Sequence, residues 1–276
     1  MSEPVAESDA ADSSARTIRD FDFTGVEWRE QVSQRYLTPV AEPTTTNPVT
    51  GPVVTVGKAA YVDVDADGDE DALVPLVVQD DNSLSTIYYI WTWDPAAVTA
   101  AQVENPIART HRCGPLVDEV VPAPDENAFL ITERLRRPGS EGACADEPTL
   151  EVERAVTLSD GWPVLATALG GHGGICPQPR GHDDTWPVEG ITLLAGPRPS
   201  IGAIEDAQLS WFAEADLSGH PWLYREGWLL VNFGPFVGSG QGSHFQDYGD
   251  YTPCAWIEID PSRQSEFGVL PPAEGE

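Results

Sequence analysis

Apolar and polar positions alternate with a period of two over short runs along most of this chain, the pattern of half-buried β-strands. Phe21 and Phe23 share one face, and Val26 and Trp28 resume the alternation one residue out of phase. Residues 20–28 are therefore read as an aromatic first strand with a bulge at Thr24-Gly25. Strands over Val53–Val56, Ala59–Val64 and Ala72–Val78 follow, with a turn at Asp80-Asp81-Asn82-Ser83. Ile87, Tyr89, Trp91 and Trp93 mark one face of the next strand, and Tyr88, Ile90 and Thr92 the other. Asp94-Pro95 has the form of a helix start and predicts a short helix over Ala96–Val103. A strand over Phe129–Leu135 comes next. Leu150, Val152, Val156 and Leu158 then alternate with Glu151, Glu153 and Thr157, and Asp160-Gly161 turns the chain into Trp162–Ala166 as a hairpin.

From about residue 168 the composition changes. Gly170-Gly171-His172-Gly173-Gly174 opens a long loop. A short strand over Ile191–Leu194, a helix over Ser200–Ala215, a hairpin around Glu226-Gly227 and a last strand over Cys254–Ile259 are expected. The fold class is mainly β, with antiparallel sheets in a sandwich-like or partial-propeller-like arrangement and few short helices. Three regions are expected: an acidic disordered tail over 1–18, a β domain over 19–167, and a Gly- and Trp-rich second half over 168–276, either separate or part of the same domain. No internal repeat is visible, which argues against a full propeller.

The most specific stretch is Asp63-Val64-Asp65-Ala66-Asp67-Gly68-Asp69-Glu70-Asp71. Five aspartates stand two residues apart around one glycine that tolerates positive φ. Two carboxylates about 6 Å apart repel by roughly 0.7 kcal/mol even in bulk water, and a divalent cation removes that cost. Calcium takes six to eight hard oxygen ligands, which a short turn can supply. An EF-hand would need a glutamate where Val74 stands. The pattern Asp-x-Asp-x-Asp-Gly-x-x-Asp instead resembles the shorter calcium loop of FG-GAP and VCBS repeats, where it joins two strands. That resemblance implies Asp63, Asp65, Asp67 and Asp71 as side-chain ligands and Asp69 as a backbone-carbonyl position. The cofactor expected is a structural Ca2+; the competing reading is a solvated acidic hairpin.

The net charge of −30 on 276 residues changes the list of partners. Such a surface repels nucleic acid and anionic lipid, and fits cation binding or plain solubility. No apolar run is long enough for a membrane-spanning helix. Cys113, Cys144, Cys176 and Cys254 are even in number, and no two have Cys-x-x-Cys spacing. Two disulfides and an oxidising compartment are the expectation. Of three possible pairings, Cys113–Cys144 with Cys176–Cys254 is the one adopted. Residues 1–18 lack the apolar segment of an export signal. The reading preferred is a tether behind a removed signal; a cytoplasmic protein is the alternative.

The order of aromatic strand, strand–Asp-Gly loop–strand, Tyr/Trp strand, cysteine loop and Asp-Gly-Trp hairpin resembles small exported lipoproteins and secreted proteins of actinobacteria. That likeness implies an envelope location and no known enzyme. Other chemistry is thinly represented. His172, Cys176, His182 and Asp183 have a spacing zinc could use, against a disulfide at Cys176. There is no Gly-x-Ser-x-Gly elbow and no His-Glu-x-x-His. Trp91, Trp93, Trp186, Trp222 and Trp228 are read as core more readily than as a sugar-stacking platform. The function expected is an exported, non-enzymatic envelope or extracellular binding protein with a structural calcium site, its partner an unidentified envelope protein or glycan. The alternative is an extracellular carbohydrate-active hydrolase using acidic residues.

Overall fold

The computed structural model describes residues 16–31, 35–40, 51–80, 83–112, 114–135, 146–166, 171–176, 185–187, 192–198, 201, 214–216, 227–232, 254–260 and 262. Within them the fold is mainly β and antiparallel. The strands are Trp28–Glu30 (β1), Arg35–Leu37 (β2), Val53–Val56 (β3), Ala60–Val62 (β4), Asp71–Asp80 (β5), Ser83–Asp94 (β6), Thr99–Gln102 (β7) and Ala108–His111 (β8). They continue with Leu116–Ala123 (β9), Ala128–Leu135 (β10), Leu150–Ser159 (β11), Trp162–Leu165 (β12), Thr185–Pro187 (β13), Glu214–Asp216 (β14), Trp228–Asn232 (β15) and Cys254–Glu258 (β16).

The long β5–β6 hairpin is the centre. β3 and β4 pair with β5, and β7 and β8 pair with β6. Both faces of β5 are covered, which is why Ala72-Leu73-Val74 reads as an unbroken apolar run. Ala72, Val74, Leu76 and Val78 face a core built with Ile18, Phe23, Trp28, Leu37, Tyr89, Trp91 and Trp93. Leu73 and Ile90 face a second core with Phe129, Ile131, Val156, Leu158 and Leu165, contributed by a second sheet ordered β12-β11-β10-β9. A third sheet, β13-β14-β15-β16, meets the tip of β12 through Trp162, Leu230 and Trp256.

Small devices close the edges. Asp160 and Gly161 both have positive φ, the geometry of a two-residue hairpin turn between β11 and β12. The Gln102 side chain stands in for a strand neighbour of β1: its Oε1 accepts from the Arg29 N–H and its Nε2 donates to the Arg29 carbonyl, each at 2.9 Å.

Several expectations change. Phe23 is buried and Phe21 partly buried against Trp91, but from a turn rather than a strand, because the Asp22 carboxylate accepts from the Thr24 N–H and hydroxyl. Ile18, inside the stretch read as a disordered tail, is fully buried in a 3-10 turn over Ile18–Asp20. No helix forms over Ala96–Val103. Asp94 Oδ1 takes the N–H groups of Ala96 and Ala97, Val98 adopts φ 52°, and β7 returns beside β6. One disulfide is present among the described residues, Cys176–Cys254. Cys113 and Cys144 lie outside the described residues, as do most of the expected helix over Ser200–Ala215 and the side chains of Trp186 and Trp222. Among the described residues no helix is long and apolar enough to cross a membrane.

Candidate metal centre

The acidic loop is the connection from β4 to β5, and the sequence holds its shape through its own backbone amides. Asp63 Oδ1 accepts from the Asp67 N–H at 3.1 Å and Oδ2 from the Gly68 N–H at 3.1 Å. Asp65 Oδ1 also takes the Asp67 N–H, and Asp67 Oδ1 takes the Asp69 N–H. Such side-chain-to-backbone bonds are what aspartate does in turns. Ala66 and Gly68 have φ 61° and 101°, which brings the chain back on itself.

Two residues tie this loop to the interior. Val64 is fully buried, and its carbonyl accepts from the Leu158 N–H and the Thr157 hydroxyl of β11. Asp71 is fully buried too, and its oxygens accept from the Val64 N–H and from the Trp93 N–H of β6, each at 3.0 Å. Burial pushes the Asp71 carboxyl up to about 7, against the pull of those two amides. Asp65 is also raised, by partial burial and by the charges of Asp67 and Asp63.

Oxygens of Asp63, Asp65 and Asp71 lie within 4.8 Å of one another. Calcium–oxygen distances are about 2.3–2.6 Å, so oxygens on opposite sides of one ion stand about 5 Å apart. This trio could therefore hold a single metal ion. The side chains of Asp67 and Asp69 are not in the converging group. Asp67 Oδ1 accepts from the Asp69 N–H.

The remaining acid of the loop has a role that spacing could not suggest. Glu70 receives a bidentate pair from Arg19, at 2.6 and 2.8 Å, and the same guanidinium lies 4.4 Å above the Tyr61 ring. The Arg19 contact holds Glu70 below the usual carboxylate range. Arg19 precedes its partner by 51 residues, and no local pattern pairs them.

Two of the alternative chemistries each lose some of their residues. Cys176 is in a disulfide and cannot be a zinc thiolate. Trp91 and Trp93 are core side chains at 3% and 6% exposure, so they offer no stacking face. His182 and Asp183 lie outside the described residues. No family model matches the chain, and no curated protein or solved structure matches it.

Proposed function

We propose that this chain is an exported, non-enzymatic binding or interaction module whose β4–β5 loop holds a structural calcium ion. The observation that carries the reading is the approach of the Asp63, Asp65 and Asp71 oxygens to within 4.8 Å of one another. Three carboxylates that close favour a divalent cation. The ion's role is structural: Asp71 and Val64 connect the loop to β6 and β11. In this reading Asp63, Asp65 and Asp71 are direct ligands, Asp67 and Asp69 form the turn, and the ion fixes the tip of the central sheet.

Placement outside the cytosol is supported by the Cys176–Cys254 disulfide. The partner is an envelope protein or a glycan.

Calorimetric titration of EDTA-treated protein with Ca2+ is the test. One site is expected, with heat abolished by Asp65→Asn while the fold is kept. Wild-type protein that takes up no Ca2+ would sink the metal reading. Alkylation and mass spectrometry without reductant test the compartment argument separately: Cys176 and Cys254 should resist labelling, and four reactive thiols would remove the support for export.

A further inference from the structure

The loop over residues 171–176 enters the junction between the second and third sheets. His172 is 1% exposed and bridges to Val164 of β12. Its ring meets Trp256 of β16 edge-on, with centroids 6.1 Å apart. Its Nε2 lies 3.1 Å from Nδ2 of Asn105, which is itself fully buried in the segment between β7 and β8. With the amide in that orientation Asn105 donates, Nε2 accepts, and the ring proton sits on Nδ1. His172 Nδ1, Asn105 Oδ1 and Trp256 Nε1 all lack a partner of hydrogen-bond geometry. The fit is tight: a Cβ on Gly174 would stand 2.7 Å from His172 Nε2, and one on Gly173 would stand 2.7 Å from the Val164 backbone.

The Arg154 guanidinium disfavours a second proton on this ring. Arg154 of β11 donates to the Gly173 and Ile107 carbonyls, so its guanidinium already occupies the polar side of the junction. Glu133 of β10 is held by Arg154 at 2.7 Å and is not free to pair with the histidine. Glu104, next to Asn105, is engaged by Arg29 at 3.1 Å. The described parts of β12, β16 and residues 193–195 bring only apolar side chains and the disulfide to the ring. Rotating the Asn105 amide would supply an acceptor but no opposite charge.

We propose that His172 is an acid-sensitive latch: neutral, it holds the 171–176 segment and the third sheet against the second, and on taking up a proton it releases them. Burial, with Arg154 adding to it, pushes the His172 imidazole down to about 4, against backbone groups of Ala195 and Ile175. An opened segment returns the ring to about 6.5. Between those values the open form binds more protons than the closed form. The histidine's contribution to closure is therefore fully present above about 6.5 and is lost as pH falls from there through 4. The open population rises roughly 30-fold from pH 7.5 to pH 5. The Cys176–Cys254 bond keeps the end of the released segment attached to β16.

Hydrogen-exchange mass spectrometry at pH 7.5 and 5, corrected for intrinsic exchange, tests this on the intact chain. The expected result is that 30-fold rise in residues 171–176, whose Gly173 and Ile175 N–H groups bond the Pro163 and Pro106 carbonyls, with residues 71–94 unchanged. His172→Gln keeps a polar amide without the titration, and should flatten the pH dependence. An identical rise in that variant, or an equal rise throughout the molecule, overturns the proposal. Should the variant not fold, NMR of the wild-type imidazole decides. A His172 ring that stays neutral at pH 5 in the closed form supports the latch, and one that titrates near 6.5 without opening removes it. Neither readout depends on calcium.

Discussion

A carboxylate that accepts two backbone N–H groups in an apolar surround is hard to replace. Asp71→Ala strands the amides of Val64 and Trp93, both in the interior. Each buried donor left without a partner costs about 1–3 kcal/mol, so the variant should lose on the order of 2–5 kcal/mol in urea denaturation. Asp65→Ala, on the exposed side of the same loop, should change stability by no more than about 0.5 kcal/mol in EDTA. The contrast separates the residue that builds the loop from one whose main work would be the cation. Gly173 gives a second residue-level test. A methyl there would meet the Val164 nitrogen and carbonyl at 2.7–2.8 Å, and backbone cannot move aside as a flexible side chain can. Gly173→Ala should destabilise by about 1–3 kcal/mol in the same assay.

At the level of elements, the Gln102 amide is worth testing because it replaces backbone pairing. Gln102→Ala removes both of its bonds to Arg29 and exposes the free edge of β1. A loss of about 1–2 kcal/mol is expected from two neutral hydrogen bonds, with faster amide exchange confined to β1 and β2. Elements whose pattern was local were legible in the chain: β6, β10, β11 and β12 lie where alternation and the Asp160-Gly161 turn put them. β8 and β9 were not. β9 carries Asp118, Glu119 and Pro122 among its apolar residues and has neither a clean alternation nor a buried face. The helix expected after Asp94 failed for a related reason. An aspartate followed by proline caps a helix or starts a turn with the same hydrogen bonds, and the pairing of β7 with β6 decides between them. The acidic loop was legible as a cation candidate from spacing alone. Which oxygens converge was not, because Asp71 is aimed inward by Trp93, a residue 22 positions away.

For the whole molecule, charge and covalent topology dominate. Forty-five acidic against fifteen basic residues make the compact state self-repelling. Added salt shortens the reach of that repulsion, with a Debye length falling from about 10 Å at 0.1 M to about 3 Å at 1 M. The melting temperature should therefore rise between 20 mM and 0.5 M NaCl, whether or not calcium is present. The disulfide acts in the opposite sense to the repulsion. It closes a sequence separation of 78, which the chain-entropy account values at on the order of 4 kcal/mol. Reductant should lower the melting temperature, and Cys176→Ser should reproduce the shift.

That bond also encloses β13, β14 and β15 within a single covalent ring. A protease that nicks the chain anywhere between Cys176 and Cys254 would leave two fragments migrating together on a non-reducing gel. The molecule can thus sustain damage across more than a quarter of its length without shedding its final strand.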